Sequence, residues 1–230
     1  AFDVDGSSGQ TFFTDQKVRE AVAHAIDRDS IAVELVGAAS EAIDSACHPD
    51  QFGCMQDVVH YDYDPEKAKE LLTEAGYPDG FEFDLYGYRQ REIAEAIIGD
   101  LSAVGIKANL NWLQYSSLLE KVQDGKTPVN FMTWGSSSIY DVAAITSHFF
   151  KGGPDDPAKD PRTAEALQRG DTSIDPEVRK EAYAEALGII ADEIYWLPLF
   201  SYAKYYAFSN ELEFTPTPDE IPRLYAARWK

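Results

Sequence analysis

The sequence predicts an α/β fold in which a central, largely parallel sheet is flanked by helices. Three observations carry that expectation. Hydrophobic residues make up 44% of the chain and charged residues 26%, the balance of a globular protein with a sizeable core. Between positions 81 and 134 the apolar pattern switches from alternation to helical spacing and back, giving strand, helix, strand, helix, strand. Right-handed crossovers make three such strands parallel neighbours in one sheet.

In chain order, Phe2-Asp3-Val4-Asp5 reads as the end of a strand, followed by the flexible Gly6-Ser7-Ser8-Gly9. A start inside a strand is expected of a piece of a longer protein. Thr14-Asp15 opens a helix with Val18, Val22, Ala25 and Ile26 on one face. Asp29 or Ser30 is positioned to cap a short second helix that stops at Gly37. Residues 38 to 63 have little periodicity. Asp64 as N-cap, Pro65 in the first turn and Gly76 at the stop punctuate the next helix, with Ala68, Leu71, Leu72 and Ala75 inward.

The first sheet strand alternates Phe81, Phe83 and Leu85 against Glu82, Asp84 and Tyr86. Ile93, Ile97, Leu101 and Val104 form the first crossover helix, ended by Gly105. Ile106, Ala108, Leu110 and Trp112 mark the second strand, Leu118, Leu119 and Val122 the second helix, and residues 129 to 134 the third strand. Residues 139 to 150 read as helical, 152 to 160 as a Gly, Pro and Asp loop, and 160 to 169 as a short helix. Asp175-Pro176 starts the longest helix, with Val178, Ala182, Ala186, Ile189 and Ile190 along its buried stripe. The aromatic stretch 195 to 209 reads as one or two buried strands. The tail from Thr215, with Pro216, Pro218 and Pro222, is expected to wrap over a neighbouring surface.

The 20 basic and 40 acidic side chains give a formal net charge of -20, which argues against nucleic acid, whose phosphates need Lys and Arg. It also argues against an anionic membrane surface, and no apolar run approaches the ~20 residues of a membrane span. Cys47 and Cys54 flank a segment with Pro49 and Gly53. A disulfide, which implies an oxidising compartment, is the leading expectation. Two free thiols come second, and a metal site with His48 and His60 third, because the doublets of structural zinc sites are absent.

Catalytic chemistry leaves little trace. There is no glycine-rich phosphate loop, no HExxH and no GxSxG, and His24, His48, His60 and His148 lack ligand spacing. A carboxylate pair for glycoside hydrolysis remains an alternative that no two of the 40 acids single out. Binding leaves more. In open α/β sheets ligands sit beyond the carboxyl ends of the strands. The three strands lead into Tyr86, Tyr88, Arg89 and Arg91; into Tyr115; and into Trp134, Gly135, Ser136, Ser137, Ser138, Tyr140 and Asp141. Rings give flat apolar contact, hydroxyls and main-chain amides orient, and Arg pairs a carboxylate, which together suit a polar organic ligand. Each has a plainer role as well. Trp134 fits a core position at a strand end, Tyr86 and Tyr88 an edge cover, and the serine run a turn.

Four motifs in register carry a family resemblance. The run Asp15-Gln16-Lys17-Val18-Arg19-Glu20-Ala21-Val22, continuing to Ala25-Ile26-Asp27-Arg28, resembles a helix of the peptide-type, family 5 solute-binding proteins of ABC importers. So do Tyr63-Asp64-Pro65 through Ala75-Gly76-Tyr77 with Gly80-Phe81, the Asp100-Leu101 to Gly105-Ile106 element, and Leu197-Pro198-Leu199. The resemblance implies a type II periplasmic-binding-protein-like lobe of the peptide-binding cluster. It implies a two-lobed parent, about twice this long, that closes on small-molecule cargo and delivers it to a membrane permease, with no cofactor and no catalysis. Residues 1–13 would cross from a missing amino-terminal lobe, 14–197 would form the second ligand-binding lobe, and 198–230 would return toward the first. A periplasmic or other extracytoplasmic location follows, and a sensor lobe is an alternative role. In dipeptide- and oligopeptide-binding relatives a "W-x-G-D-x-x-D-P" segment follows the third strand, its first Asp holding the peptide amine. Ser137 stands at that position here, and no Pro follows Asp141. A neutral hydroxyl does not replace a carboxylate opposite an ammonium. The implied cargo is peptide-like, opine-like or an oligosaccharide.

Overall fold

The computed structural model describes residues 1–135, 139–217 and 221–230. Asp15 caps α1 (Gln16–Ala25) by accepting from the Lys17 amide at 2.9 Å, and Val18, Val22, Ala25 and Ile26 are buried as their spacing requires. A single turn α2 (Arg28–Ser30) runs into a π-helical turn (Ile31–Val36) that stops at Gly37. Its cap is Asp27, not Asp29 or Ser30: the Asp27 carboxylate accepts from both the amide and the hydroxyl of Ser30, the reach of an N-cap side chain. A short strand β1 (Glu41–Ala42) follows. Cys47 and Cys54 are joined in a disulfide, so neither is a free thiol. In α3 (Pro65–Glu74) the Asp64 carboxylate accepts from the Glu66 and Lys67 amides, and the helix packs on α1.

The central sheet is parallel, in the order β3-β2-β4, with β2 (Glu82–Gly87) between β3 (Lys107–Trp112) and β4 (Val129–Phe131). Leu85 faces Leu110 on one side and Val129 on the other. The crossovers are α4 (Arg91–Ala103) and α5 (Tyr115–Gln123). Just before β2 and β3 the two chains touch: a Cβ on Gly80, whose φ is +74°, would lie 1.9 Å from the Gly105 carbonyl oxygen. Phe2 adds an antiparallel bridge to Val129 on the outer side of β4.

Helix α6 (Ala143–Phe149) is shorter than the expected 139–150. Residues 139 and 140 stay outside the helix, because the Tyr140 carbonyl accepts from the Phe52 amide and the Phe52 carbonyl from the Val142 amide. Asp141 then accepts from the Ala143 amide at 3.0 Å, which starts the helix there. The remaining helices, α7 (Pro161–Thr172) and α8 (Pro176–Asp192), begin alike, with Asp160 or Asp175 as cap and Pro at the first position, and pack on each other. The buried stripe of α8 is Ala182, Tyr183, Ala186, Leu187 and Ile190; Val178 is exposed and Ile189 half-buried. Fully buried Tyr183 sets this phase by filling space left by Gly53 and Gly170, where any Cβ would fall within 2.7 Å of its ring.

The stretch 195–209, expected as one or two buried strands, holds a single strand of two half-buried residues. Only β5 (Phe200–Ser201) is a strand, pairing antiparallel with β1, while Tyr205 and Phe208 are exposed. In the tail, β6 (Leu212–Glu213) pairs antiparallel with β7 (Arg228–Trp229). Two apolar cores result. One joins the sheet to α1, α3 and α4; the other joins the disulfide loop to α6, α7 and α8. Val4 packs against both. Among the described residues no helix is long and apolar enough to cross a membrane.

Candidate functional site

A cleft of about 1440 Å³ runs from the carboxyl end of β4, at Met132 to Gly135, past the disulfide loop to the segment 196–206. Parallel strands place their carboxyl ends on one edge, so the loops after β2, β3 and β4 are brought together there. Tyr88, after β2, donates to or accepts from the Thr133 hydroxyl at 2.8 Å, and its ring centroid lies 5.2 Å from that of Tyr115, the first residue of α5. Arg89 Nη1 donates to the same Thr133 oxygen at 3.4 Å. Thr133 precedes Trp134, so the rim is continuous across all three loops.

Of the residues singled out from sequence, Tyr115, Trp134, Gly135 and Tyr140 line the cleft. Tyr88 and Arg89 stand behind that lining, joined to it through Thr133. Tyr86, Arg91 and Asp141 do not line it and have other partners. The Lys121 ammonium lies 5.9 Å from the Tyr86 ring. Arg91 pairs with Glu95 at 2.8 Å, one helical turn on, and lies 5.9 Å over Trp112. Asp141 pairs with Arg179 at 2.8 Å while starting α6. Ser136, Ser137 and Ser138 lie outside the described residues.

Trp134 does not pack on Tyr88 or Tyr115. Its ring stacks on His148 at 5.2 Å and meets Phe149 edge-on at 4.9 Å; Phe149 in turn meets Trp196 at 4.7 Å. His148, Phe149 and Trp196 line the cleft, and spacing along the chain did not reveal them. The traces that exist are the His148-Phe149-Phe150 run closing a helix and a Trp beside the Leu197-Pro198-Leu199 strand.

The cleft is acidic on the side of the amino-terminal segment and the 152–160 loop, where Asp3, Asp5, Asp155 and Asp156 contribute to it. Burial pushes the Asp3 carboxyl above its usual range, against the Ser8 hydrogen bonds that favour its charge. At the opposite end burial raises the Tyr202 hydroxyl, opposed by the Arg89 charge and by the hydrogen bond it donates to Gln90. Among the described residues no group of His, Cys, Asp or Glu is arranged to hold a metal ion. Aromatic faces, main-chain groups and carboxylates around an open groove are equipment for holding a polar molecule.

Comparison with known proteins agrees on one family. Residues 1–156 match the family described as bacterial extracellular solute-binding proteins, family 5 middle. The chain is 34% identical over 128 residues to the dipeptide-binding protein of Escherichia coli strain K12, covering 52% of this chain and 24% of that protein. It is 29% identical over 204 residues to the glutathione-binding protein GsiB of Salmonella typhimurium, covering 81% of this chain and 39% of that protein. Among solved structures, HbpA2 from Haemophilus parasuis superposes with a TM-score of 0.89 at 22% identity, covering 97% of this chain and 46% of that one. A dipeptide-binding protein from Pseudoalteromonas sp. SM9913 in complex with Met-Leu gives 0.83 at 23%, covering 100% and 47%. At those identities the structural likeness speaks to the fold alone, that of a periplasmic-binding-protein lobe. The chain thus spans from about a quarter to under half the length of the relatives it matches. It belongs to the bacterial extracellular solute-binding proteins of family 5.

Proposed function

We propose that this chain is the second, carboxyl-terminal lobe of the substrate-binding component of an ABC importer. Its parent captures a polar, peptide-like small molecule between two lobes and hands it unchanged to a membrane permease. The observation that carries this is the aromatic-rimmed cleft at the carboxyl edge of a parallel sheet, in a chain of family 5. Residues 14–197 are the ligand-binding lobe, and 1–13 and 198–230 the segments that run to and from the first lobe. The exposed rings of Tyr205, Phe208, Tyr225 and Trp229 in the returning segment support that division, since apolar side chains in such number want a cover. The Cys47–Cys54 disulfide favours the periplasm or another oxidising extracytoplasmic space. A net charge of -20 weighs against a nucleic-acid partner.

The energetics are those of closure: cargo stabilises the closed form only through contacts that are better there than in the open one. One lobe offers part of those contacts, so this chain alone binds weakly. Two measurements test the proposal. Mass spectrometry of what co-purifies with the full-length protein should identify a small polar molecule that is released unaltered; its chemical turnover would instead make the parent an enzyme. Titration calorimetry of that molecule on this chain alone should give no more than weak heat, and micromolar or tighter affinity would refute the two-lobe account.

A further inference from the structure

We propose that Gln90 is a positioning residue: by its hydrogen bond with Tyr202 it latches the loop after β2, which carries Tyr88 and Arg89, to the segment that follows β5. The inference rests on the binding role given above and adds to it how the rim of the cleft is set.

Gln90 stands in the left-handed region, at φ 57° and ψ 60°, which side chains other than Gly, Asn and Asp seldom adopt. Such strain persists only where the surroundings hold it. The start of α4 does not supply the hold. Helices α1, α3, α7 and α8 each begin on an Asp whose carboxylate caps the first turn, whereas the Gln90 side chain makes no cap. Its amide oxygen accepts instead from the Tyr202 hydroxyl, 112 positions away in the chain. Tyr202 is itself placed: its ring meets Phe200 edge-on at 5.3 Å, and Phe200 pairs with Ala42 where β5 joins β1. On the other side of the loop, Tyr88 and Arg89 both meet the Thr133 hydroxyl beyond β4. Three successive residues are thus tied to two elements distant in sequence, and a shift of the segment after β5 is passed to the two rim side chains. Tyr202 lines the cleft and Gln90 does not, so removing the Gln90 side chain acts on a ligand through what that side chain holds.

The test uses the full-length protein. Hydrogen exchange reads the Ile93 and Ala94 amides, both bonded to the Gln90 carbonyl. Tyr202→Phe and Gln90→Ala should each speed that exchange about fivefold, the loss of one hydrogen bond. The double variant should exchange no faster than either single one, because both remove the same contact. Gln90→Glu, which keeps an acceptor oxygen, should restore slow exchange, and the Lys107 amide at the far end of the sheet should not change. Native mass spectrometry with a mixed library of di- and tripeptides reads the cleft: Gln90→Ala should retain the library about fivefold less than wild type, and Gln90→Glu should recover it. Unchanged exchange in both single variants overturns the latch, as does a double variant in which the two effects multiply. Faster exchange with full retention by Gln90→Ala overturns the positioning role. A library that wild type itself does not retain overturns the peptide-like cargo, and the latch then stands or falls by the exchange alone.

Discussion

Replacing both cysteines by alanine is the perturbation with the most fully specified outcome. The bridged positions are seven residues apart, and closing so short a loop removes unfolded-state entropy worth about 2.5 kcal/mol at 25 °C in the chain-entropy description. Cys47 is 2% exposed within the core of α6, α7 and α8, so losing its sulfur leaves a small void worth about 1 kcal/mol more. The sum, about 3.5 kcal/mol, corresponds to a fall in melting temperature of roughly 7–14 °C for a chain of this size. With a urea dependence of about 3 kcal/mol/M, the midpoint drops by about 1 M. Urea titration followed by circular dichroism reads the global effect. Hydrogen exchange reads the local one, because the disulfide loop holds Phe52 against Tyr140 and Val142, and those amides should exchange faster than the rest. A midpoint change under about 0.2 M would refute the reasoning, since it would mean that the bridge closes no entropy in the unfolded chain. A large change without faster exchange at Phe52 and Val142 would refute the local part alone.

Three more outcomes follow from single contacts. Gly80→Ala should destabilise by about 2 kcal/mol or more in a urea titration, because φ is +74° and the new Cβ meets the Gly105 backbone. An effect under about 0.5 kcal/mol would mean that the two turns are not held together. The Tyr183 hydroxyl accepts from Arg179 at 2.9 Å and donates to Asp171 at 3.0 Å, while burial pushes its ionisation up to about 12. Tyr183→Phe should therefore cost about 1–2 kcal/mol in denaturant, and Tyr183→Ala, which empties the space facing Gly53 and Gly170, about 3–5 kcal/mol. His60 is raised above its ordinary value by its hydrogen bond to Asp44. A raised folded-state value means that its stabilisation is whole below about pH 6.5 and is lost as pH climbs through the raised value. An NMR titration of His60 should show the raised value in the folded chain, and His60→Gln should remove that pH dependence of stability; an unshifted titration would end the account.

The sheet was readable because alternation and helical spacing succeed one another cleanly from Phe81 to Phe131, and the helix starts because Asp64-Pro65 and Asp175-Pro176 leave few other conformations. The failures share a cause. Where a residue's partner is distant in sequence, local pattern misplaces it. Ile139 and Tyr140 look helical until Gln51 donates to the Ile139 carbonyl and Phe52 to that of Tyr140, and Val178 looks buried until Tyr183 finds Gly53 and Gly170. Residues 195–209 have the composition of a core strand, yet among the described residues their strand partner is β1, two residues long. Spatially, the candidate site was half legible. The rule about strand ends expects Tyr88, Tyr115 and Trp134 to meet; Tyr88 and Tyr115 pack together, while Trp134 reaches them only through its neighbour Thr133. Tyr86, Arg91 and Asp141, named by the same rule, lie outside the cleft lining and meet Lys121, Glu95 and Arg179. The rule passed over His148, Phe149 and Trp196, which line the cleft only because the fold carries them to Trp134.

Val4 has one last implication. Because this side chain leans on both oily interiors at once, it works as a dowel between them, alongside the Arg19 to Glu193 and Tyr61 to Ala191 hydrogen bonds. Trimming it to alanine would take apolar contact from both interiors at once, at a point between Asp3 and Asp5 of the cleft wall.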